Sequence, residues 1–439
     1  MMRVGQIAVA LLASLVANTP LVADDTIKQP ADVWGRFRGP NGAGVSSDKN
    51  IPTTFGPTEH VFWKTENPGV GNSSPIVWGK RIFLHSASRD GKQRSLTCID
   101  AATGKQIWQK SLPAQPAKIR TDSSLASSTP TTDGSSVFVC FWDGNDVIVS
   151  AFDFDGTERW SKNLGGFNSQ HGSSASPILY EDKLFLANDM DKDDFTTKVP
   201  NPKPSTLLAF DKRTGRILWE VPRTAERACY SAPFLRFGTA KEPELVVSST
   251  TAVTGYNIQT GAILWEAKGW QETKVPMRTV ASPAFSGDIL CMCSGGDSGR
   301  FAVGLELPKP GSTNPPKRLW DNRKDLPYVP SPVALGDHFY FVTDAGFAGC
   351  VHAKTGKREW LERISSPGGF YASPLIIDGK IYAANSAGDV FVIQADSTAC
   401  RLLARNELGE TIRATPAVAD GHPLHSRRTP SLVHRQVIT

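Results

Sequence analysis

The sequence predicts an all-β chain that folds as an eight-bladed β-propeller, with the ring closed by an N-terminal strand. Three observations lead to this fold class. A small residue followed by proline recurs eight times, a tight turn feeding a tryptophan follows most of these starts, and further short apolar segments lie between the two signals. Four short strands per repeat, separated by turns, are typical of a propeller blade.

The small-residue–proline starts set the number of repeats, because each precedes an apolar run that predicts a short buried strand. The eight starts are Ser74-Pro75, Thr129-Pro130, Ser176-Pro177, Ala232-Pro233, Ser282-Pro283, Ser331-Pro332, Ser373-Pro374 and Thr415-Pro416.

The outer strand of each repeat is marked by an aromatic residue after a turn such as Thr-Gly or Asp-Gly. We expect this side chain to pack against the neighbouring blade, since one blade cannot bury both faces of its sheet. Leu403 is expected to replace it in the seventh repeat. The tryptophans are Trp108, Trp160, Trp219, Trp265, Trp320 and Trp360.

Ring closure follows from a mismatch in these counts, because eight starts are followed by only seven outer-strand positions. The segment around Trp63 has the pattern of the missing outer strand. Pairing of this segment with the last blade would leave no free sheet edge.

The C-terminal tail departs from the repeat. After Gly421 it contains two prolines and two adjacent arginines where an inner strand is expected, at Pro423, Arg427, Arg428 and Pro430. Proline and unpaired charge fit poorly into such a strand. The tail therefore resembles a frameshifted or truncated end, and the eighth blade is expected to be incomplete after residue 421.

The N-terminus has the pattern of a signal peptide over residues 1–23. Arg3 is followed by the apolar stretch Ile7–Ala17, and cleavage is expected after Ala23. A retained membrane anchor is the alternative. The chain then divides into a leader, residues 24–54, and a propeller, residues 55–439. No later segment has the length and apolarity of a membrane span, so a periplasmic or secreted protein is expected.

Composition excludes some classes of protein. Hydrophobic residues make up 40% and charged residues 21% of the chain, which is a globular balance. The net charge of +5 is not concentrated in a basic block, so nucleic acid is not an expected partner. The seven cysteines include no Cys-x-x-Cys motif, and the pair Cys291 and Cys293 is interpreted as strand packing.

One acidic loop has the spacing of a calcium site. Asn188, Asp189, Asp191 and Asp193 alternate, but Asp194 and Pro200 stand where an EF-hand requires glycine and glutamate. We therefore predict a solvated loop here.

The small-residue–proline starts and the Thr-Gly-x-x-x-Trp ends resemble the pyrroloquinoline quinone (PQQ) type repeat over about residues 55–421. That repeat occurs in quinoprotein alcohol dehydrogenases and in the propeller lipoprotein of the outer-membrane protein assembly (Bam) machinery. Residues Trp34–Gly44 are similar to the leader of a secreted bacterial subfamily without an assigned function. The resemblance implies the fold and leaves the activity open.

Candidate site residues lie just before the starts, where the chain crosses to the innermost strand and the crossings converge on one mouth of the channel. Arg120, His171, Arg278 and Arg413 come from four different repeats, with Asp122 the single acid in the set, so a positive mouth is expected. Such side chains suit an anionic or planar ligand. The remaining residues are Asn72, Tyr230, Tyr328 and Tyr371.

Two functions are consistent with these residues. The first is a non-catalytic binding or scaffold module of the cell envelope, whose partner is an envelope protein or a small anionic ligand. The second, which the resemblance implies, is a PQQ-dependent oxidoreductase with calcium as the accompanying ion. No vicinal Cys-Cys pair and no matching set of acidic and amide calcium ligands can be assigned, and no catalytic nucleophile or metal site is predicted.

Ring closure can be tested by deleting residues 24–64. Loss of the closing strand should expose two sheet edges and sharply lower the melting temperature. Differential scanning calorimetry of the truncated and full chains measures this, and an unchanged melting curve would contradict closure.

Overall fold

A computed structural model describes residues 32–66, 69–192, 204–238, 242–296, 299–365, 368–419, 422–425 and 432–436. These residues form eight sheets of four or five strands, which confirms the all-β propeller class. Within them, no helix combines the length and apolar character needed to cross a membrane. The expected signal peptide, residues 1–23, lies outside the described residues.

In each blade the four strands follow one another in chain order from the axis outward, except in blade 8, where the N-terminal strand β3 is outermost. The leader contributes β1 (Val33–Trp34), a 3-10 turn (Pro40–Gly42) and β2 (Val45–Ser46), and β3 (Val61–Glu66) follows it. Blades 1 and 2 are β4 (Ile76–Trp78), β5 (Arg81–Ala87), β6 (Arg94–Asp100), β7 (Gln106–Leu112), and β8 (Thr131–Thr132), β9 (Ser136–Trp142), β10 (Asp146–Asp153), β11 (Glu158–Gly166). Blades 3 and 4 are β12 (Ile178–Tyr180), β13 (Lys183–Asn188), β14 (Thr206–Asp211), β15 (Ile217–Pro222), and β16 (Phe234–Arg236), β17 (Glu244–Ser248), β18 (Ala252–Asn257), β19 (Ile263–Lys268).

The second half repeats this order. Blades 5 and 6 are β20 (Ala284–Ser286), β21 (Ile289–Gly296), β22 (Gly299–Glu306), β23 (Lys317–Asn322), and β24 (Val333–Leu335), β25 (His338–Val342), β26 (Phe347–His352), β27 (Arg358–Arg363). Blades 7 and 8 are β28 (Leu375–Ile377), β29 (Lys380–Ala384), β30 (Asp389–Gln394), β31 (Arg401–Glu407), and β32 (Ala417–Ala419), β33 (His422–His425), β34 (Leu432–Gln436) with β3.

Most outer-strand tryptophans bridge to the next blade, as expected. Trp160 Nε1 donates a hydrogen bond to the Lys212 carbonyl at 2.9 Å, and Trp360 Nε1 donates to the Asp396 carbonyl at 2.8 Å. The rings lie directly over the glycine of the next turn, so that a Cβ at Gly215 would stand 2.6 Å from the Trp160 ring. The Thr-Gly turn and the tryptophan of the preceding blade are therefore one packing unit.

Three positions depart from this pattern, and one of them, Trp219, packs on Gly261 but has no hydrogen-bond partner for its Nε1 among the described residues. Trp265 Nε1 donates to Glu244 Oε2 within its own blade, since blade 5 has a long proline-rich loop in place of the Thr-Gly turn. In blade 7 the prediction for Leu403 was wrong, because Ala404 pairs with Val392 at the β-bulge where the other blades carry tryptophan. Leu403 is 39% exposed. A shift of one residue moves a side chain to the opposite face of a strand.

The small residues at the blade starts connect neighbouring blades. In six neighbouring pairs, the backbone N–H of one start residue donates to the side-chain hydroxyl of the next start residue, at 2.9 to 3.1 Å. We call this set the hydroxyl ring. It is interrupted at two places among the described residues: Ala232 of blade 4 has no hydroxyl, and Ser74 Oγ of blade 1 has no hydrogen-bond partner. The donor and acceptor pairs are Ser74–Thr129, Thr129–Ser176, Ala232–Ser282, Ser282–Ser331, Ser331–Ser373 and Ser373–Thr415.

The leader crosses the axial channel rather than standing apart from the propeller. Strand β1 extends blade 1 antiparallel to β4, and β2 extends blade 7 parallel to β28. Between them, Asn41 exchanges two hydrogen bonds with the backbone of Leu235 in blade 4, at 2.7 and 3.1 Å. The leader thus supplies hydrogen-bond partners to the innermost strands of blades 1, 4 and 7.

Two buried arginines hold the leader in place. Arg36 Nη2 donates to the Pro233 carbonyl at 2.8 Å, and Arg38 Nη2 donates to the Pro332 carbonyl at 2.6 Å. Burial lowers the pKa of each arginine to about 9. Both remain charged at neutral pH, and their main role is to occupy backbone carbonyls that face the channel.

Strand β3 pairs antiparallel with β34 and completes the sheet of blade 8. Trp63 Nε1 donates to the Ala101 carbonyl of blade 1 at 3.0 Å, so this strand makes the same inter-blade contact as the others. The eighth sheet extends beyond residue 421, unlike the expected incomplete blade. Pro423 of β33 pairs with Val418 of β32. Arg427, Arg428 and Pro430 lie outside the described residues.

The packing of tryptophan on glycine can be tested with two matched glycines. Gly356→Ala would place its Cβ 2.4 Å from the Trp320 ring, and φ at this residue is +66°. Gly336 has φ +58° with no atom within 4 Å of the added Cβ. Gly336→Ala should cost about 1–2 kcal/mol from backbone strain alone, and Gly356→Ala about 1–3 kcal/mol more from overpacking. Urea unfolding measures both free energies, and equal losses would contradict the packing.

Candidate functional site

The crossings between blades converge on a cavity of about 220 Å³ at one end of the axis, which we call the cup. Eight of the nine predicted residues line it, and the ninth, Arg120, lies outside. Members of the hydroxyl ring and Phe37 of the leader also line the cup, so the leader closes its base. The predicted residues that line it are Asn72, Asp122, His171, Tyr230, Arg278, Tyr328, Tyr371 and Arg413.

Arg278 is neutralised by an acid that the sequence analysis did not place here. Its Nη2 lies 2.5 Å from Asp191 Oδ2, and both side chains are almost fully buried. The other oxygen, Asp191 Oδ1, accepts the backbone N–H of Ala228 at 2.8 Å. Asp122 is the one acid among the described residues that line the cup, but Asp191, outside this lining, balances the charge of Arg278 and makes the mouth less positive than expected.

The prediction of a solvated loop at residues 188–194 was also wrong for the part that the structure describes. Asp189 and Asp191 are 1% and 5% exposed. Asp189 binds Arg223 through two hydrogen bonds of 2.8 and 3.1 Å, and Arg223 also bonds Tyr256 Oη. The loop turns inward because its carboxylates are partners of buried arginines. Asp193, Asp194 and Pro200 lie outside the described residues.

Arg413 is the cationic side chain of the cup lining that makes no ion pair among the described residues. Its guanidinium lies 4.5 Å from the centre of the Tyr371 ring, which is a cation–π contact. Its Nη1 donates to the backbone carbonyl of Asp122 at 3.0 Å, and its Nε has no hydrogen-bond partner among the described residues. The group is thus fixed in direction without an ion pair of its own.

His171 and Tyr230 form a polar part of the cup wall near Arg278. Burial, followed by the charge of Arg278, lowers the pKa of His171 to about 4, so its imidazole is neutral at pH 7. Its Nδ1 lies 2.6 Å from Ser123 Oγ. Tyr230 donates to the Gly172 carbonyl at 3.0 Å, and burial raises its pKa above the ordinary value. Neither side chain is charged at neutral pH.

Arg120 lies on the exposed rim beside the cup. Its Nε is 3.6 Å from Asp122 Oδ1, and both side chains are about half exposed. Screened pairs of this kind stabilise little.

The donor groups of the cup do not fit a calcium-bound quinone. Calcium requires six to eight oxygen ligands, yet both oxygens of Asp191 are engaged by Arg278 and Ala228. Asp191 is not part of the lining, and Asp122, at the rim, is the one carboxylate among the described residues that line the cup. Across the described ranges, no three His, Cys, Asp or Glu side chains are grouped to hold a metal ion. Cys291 and Cys293 are buried as free thiols, as the packing interpretation expects.

The buried ion pair predicts a large contrast between two aspartates. Asp191→Asn leaves Arg278 buried without a countercharge and should lower the free energy of unfolding by about 3 kcal/mol. Asp122→Asn, at an exposed pair, should change it by less than about 1 kcal/mol. Chemical unfolding of both variants checks this, and similar losses would contradict the role given to Asp191.

The fold and its repeats were compared with known proteins. The family described as outer membrane protein assembly factor BamB matches residues 55–222 and 145–401. BamB from Moraxella catarrhalis has a similar fold, with a TM-score of 0.60, 12% identity, and coverage of 86% of this chain and 97% of that chain. The quinohemoprotein alcohol dehydrogenase from Comamonas testosteroni has a TM-score of 0.51 and 12% identity, covering 94% of this chain and 81% of that one.

Among curated proteins, a tetrathionate hydrolase from Acidithiobacillus ferrooxidans is 22% identical over 372 residues, which is 75% of this chain. The chain covers 66% of that protein's length, just under two thirds. At these identities the solved structures establish the fold alone. The family match spans most of the chain, and the protein therefore belongs to the PQQ-repeat family of outer membrane protein assembly factor BamB.

Proposed function

We propose that this protein is a non-catalytic binding module of the cell envelope whose cup receives a carboxylate group of its ligand. The observation that carries the proposal is Arg413, which lines the cup, is oriented by Tyr371 and the Asp122 carbonyl, and makes no ion pair among the described residues. A guanidinium held in this way is suited to a planar carboxylate.

The surroundings of Arg413 support a binding role. Serine and threonine hydroxyls of the hydroxyl ring supply further donors at the base of the cup. Tyr328, whose pKa burial raises to about 12, and Tyr371 supply aromatic faces on the wall. A cavity with a few convergent polar groups and aromatic walls is the usual form of a small-ligand site.

Membership of the BamB family favours a location in the envelope and a role in holding other envelope components. The oxidoreductase alternative shares the propeller fold, but the donor set of the cup does not fit calcium and PQQ. We therefore place binding ahead of quinone-dependent oxidation.

The proposal is tested by titrating the protein with benzoate and citrate in a calorimeter. Binding should weaken as salt rises, because an open cup is screened over about 8–10 Å at physiological ionic strength. Arg413→Met keeps much of the apolar stem and removes the charge, so it should weaken binding by about tenfold or more, as expected for a lost charge-assisted hydrogen bond. The melting temperature should stay unchanged.

Arg401→Met is the matched control, since Arg401 lies on the outer strand of blade 7 and is 66% exposed. Equal binding by the two variants, or no carboxylate binding at all, would overturn the proposal. Dye reduction by the protein with PQQ, calcium and an alcohol would instead favour the oxidoreductase.

A further inference from the structure

A second cavity opens beside the cup, between blades 1 and 2, and we call it the groove. Its volume is about 380 Å³. It is lined by Val70 and Gly71, by the turn after β5, and by residues 116–121 and 123–125 of the connection from β7 to β8. Ser123 lines both cavities, so the groove and the cup adjoin at this residue.

The groove is basic. Three cationic side chains, Arg89, Lys118 and Arg120, line it together with one acid, Asp90. Asp90 is engaged by its own turn, where Oδ1 accepts bonds from Ser88 Oγ at 2.6 Å and from the Lys92 N–H at 3.0 Å. The groove therefore presents net positive charge to a ligand.

Apolar side chains lie between these cations. Val70, Ile119 and Leu125 line the groove and are only partly buried. A surface that interleaves cations and apolar side chains fits an extended peptide, because successive residues of an extended chain point in opposite directions. Acidic side chains would face the cations, and apolar ones would contact the wall.

We infer that the groove and the cup together bind the acidic C-terminal segment of an extended peptide. The terminal carboxylate lies at Arg413 in the cup, and the preceding residues pass Ser123 into the groove. This inference rests on the proposed function, since it assigns the carboxylate of the cup to a peptide terminus. Capture of terminal carboxylates is an established mode of peptide recognition.

The test is fluorescence anisotropy with a six-residue peptide that alternates glutamate and valine and carries fluorescein on its amino end. The peptide with a free C-terminal carboxylate should bind at least tenfold more tightly than its C-terminal amide. The double variant Arg89→Ser, Lys118→Ser should weaken peptide binding about tenfold and leave calorimetric benzoate binding unchanged.

The control double variant is Lys268→Ser, Lys357→Ser, whose lysines lie at or beside outer strands and are 82% and 72% exposed. It should bind the peptide normally. This inference would be overturned, and the proposed function would stand, if the protein binds benzoate but does not prefer the peptide with a free carboxylate. The same holds if peptide binding does not depend on Arg89 and Lys118. If the protein binds neither benzoate nor the peptide, the proposed function and this inference are both overturned. Tighter binding of an alginate oligomer than of the peptide would assign the groove to an acidic saccharide and overturn the peptide.

Discussion

The hydrogen bond from the N–H of one blade start to the hydroxyl of the next is the contact on which the centre of the molecule depends. Apart from β4 and β28, which pair with leader strands, the innermost strands have no sheet partner on the channel side, so their backbone groups need other partners. Serine or threonine supplies one partner at almost every start, and the following proline limits the backbone there. Because the starts are held at fixed spacing, the residues just before them converge, and these residues form the walls of the cup.

This constraint explains which parts of the site could be predicted from sequence. Arg278, Tyr371 and Arg413 lie within a few residues of a repeated motif, so their convergence follows from the repeat. Asp191 follows β13, at a connection that carries no start motif. Its aspartate spacing is equally compatible with a solvated loop, and only the position of Arg278, 87 residues away, decides its burial.

The leader and the outer strand of blade 7 also contain contacts that could not be predicted from the sequence. Trp34 to Gly44 could be compared with a known leader, but the side chains of Arg36, Arg38 and Asn41 bond to residues 194 to 294 positions away, which share no pattern with them. Leu403 and Ala404 are both apolar, and a bulge in β31 determines which of them faces the core. Repeat periodicity thus predicts the blades well, while contacts between distant segments and register at bulges require coordinates.

The route of the leader has a consequence for how the chain folds. Phe55 bonds to Asn406 and Asn406 to Thr53, contacts that span more than 350 residues. Such high contact order slows folding, because the entropy of closing a long loop is lost before the contact forms. The leader is thus among the last segments to dock, after blades 4, 6 and 7 exist. A partly folded chain lacks the base of its own cup, so the binding proposed above requires the completed propeller.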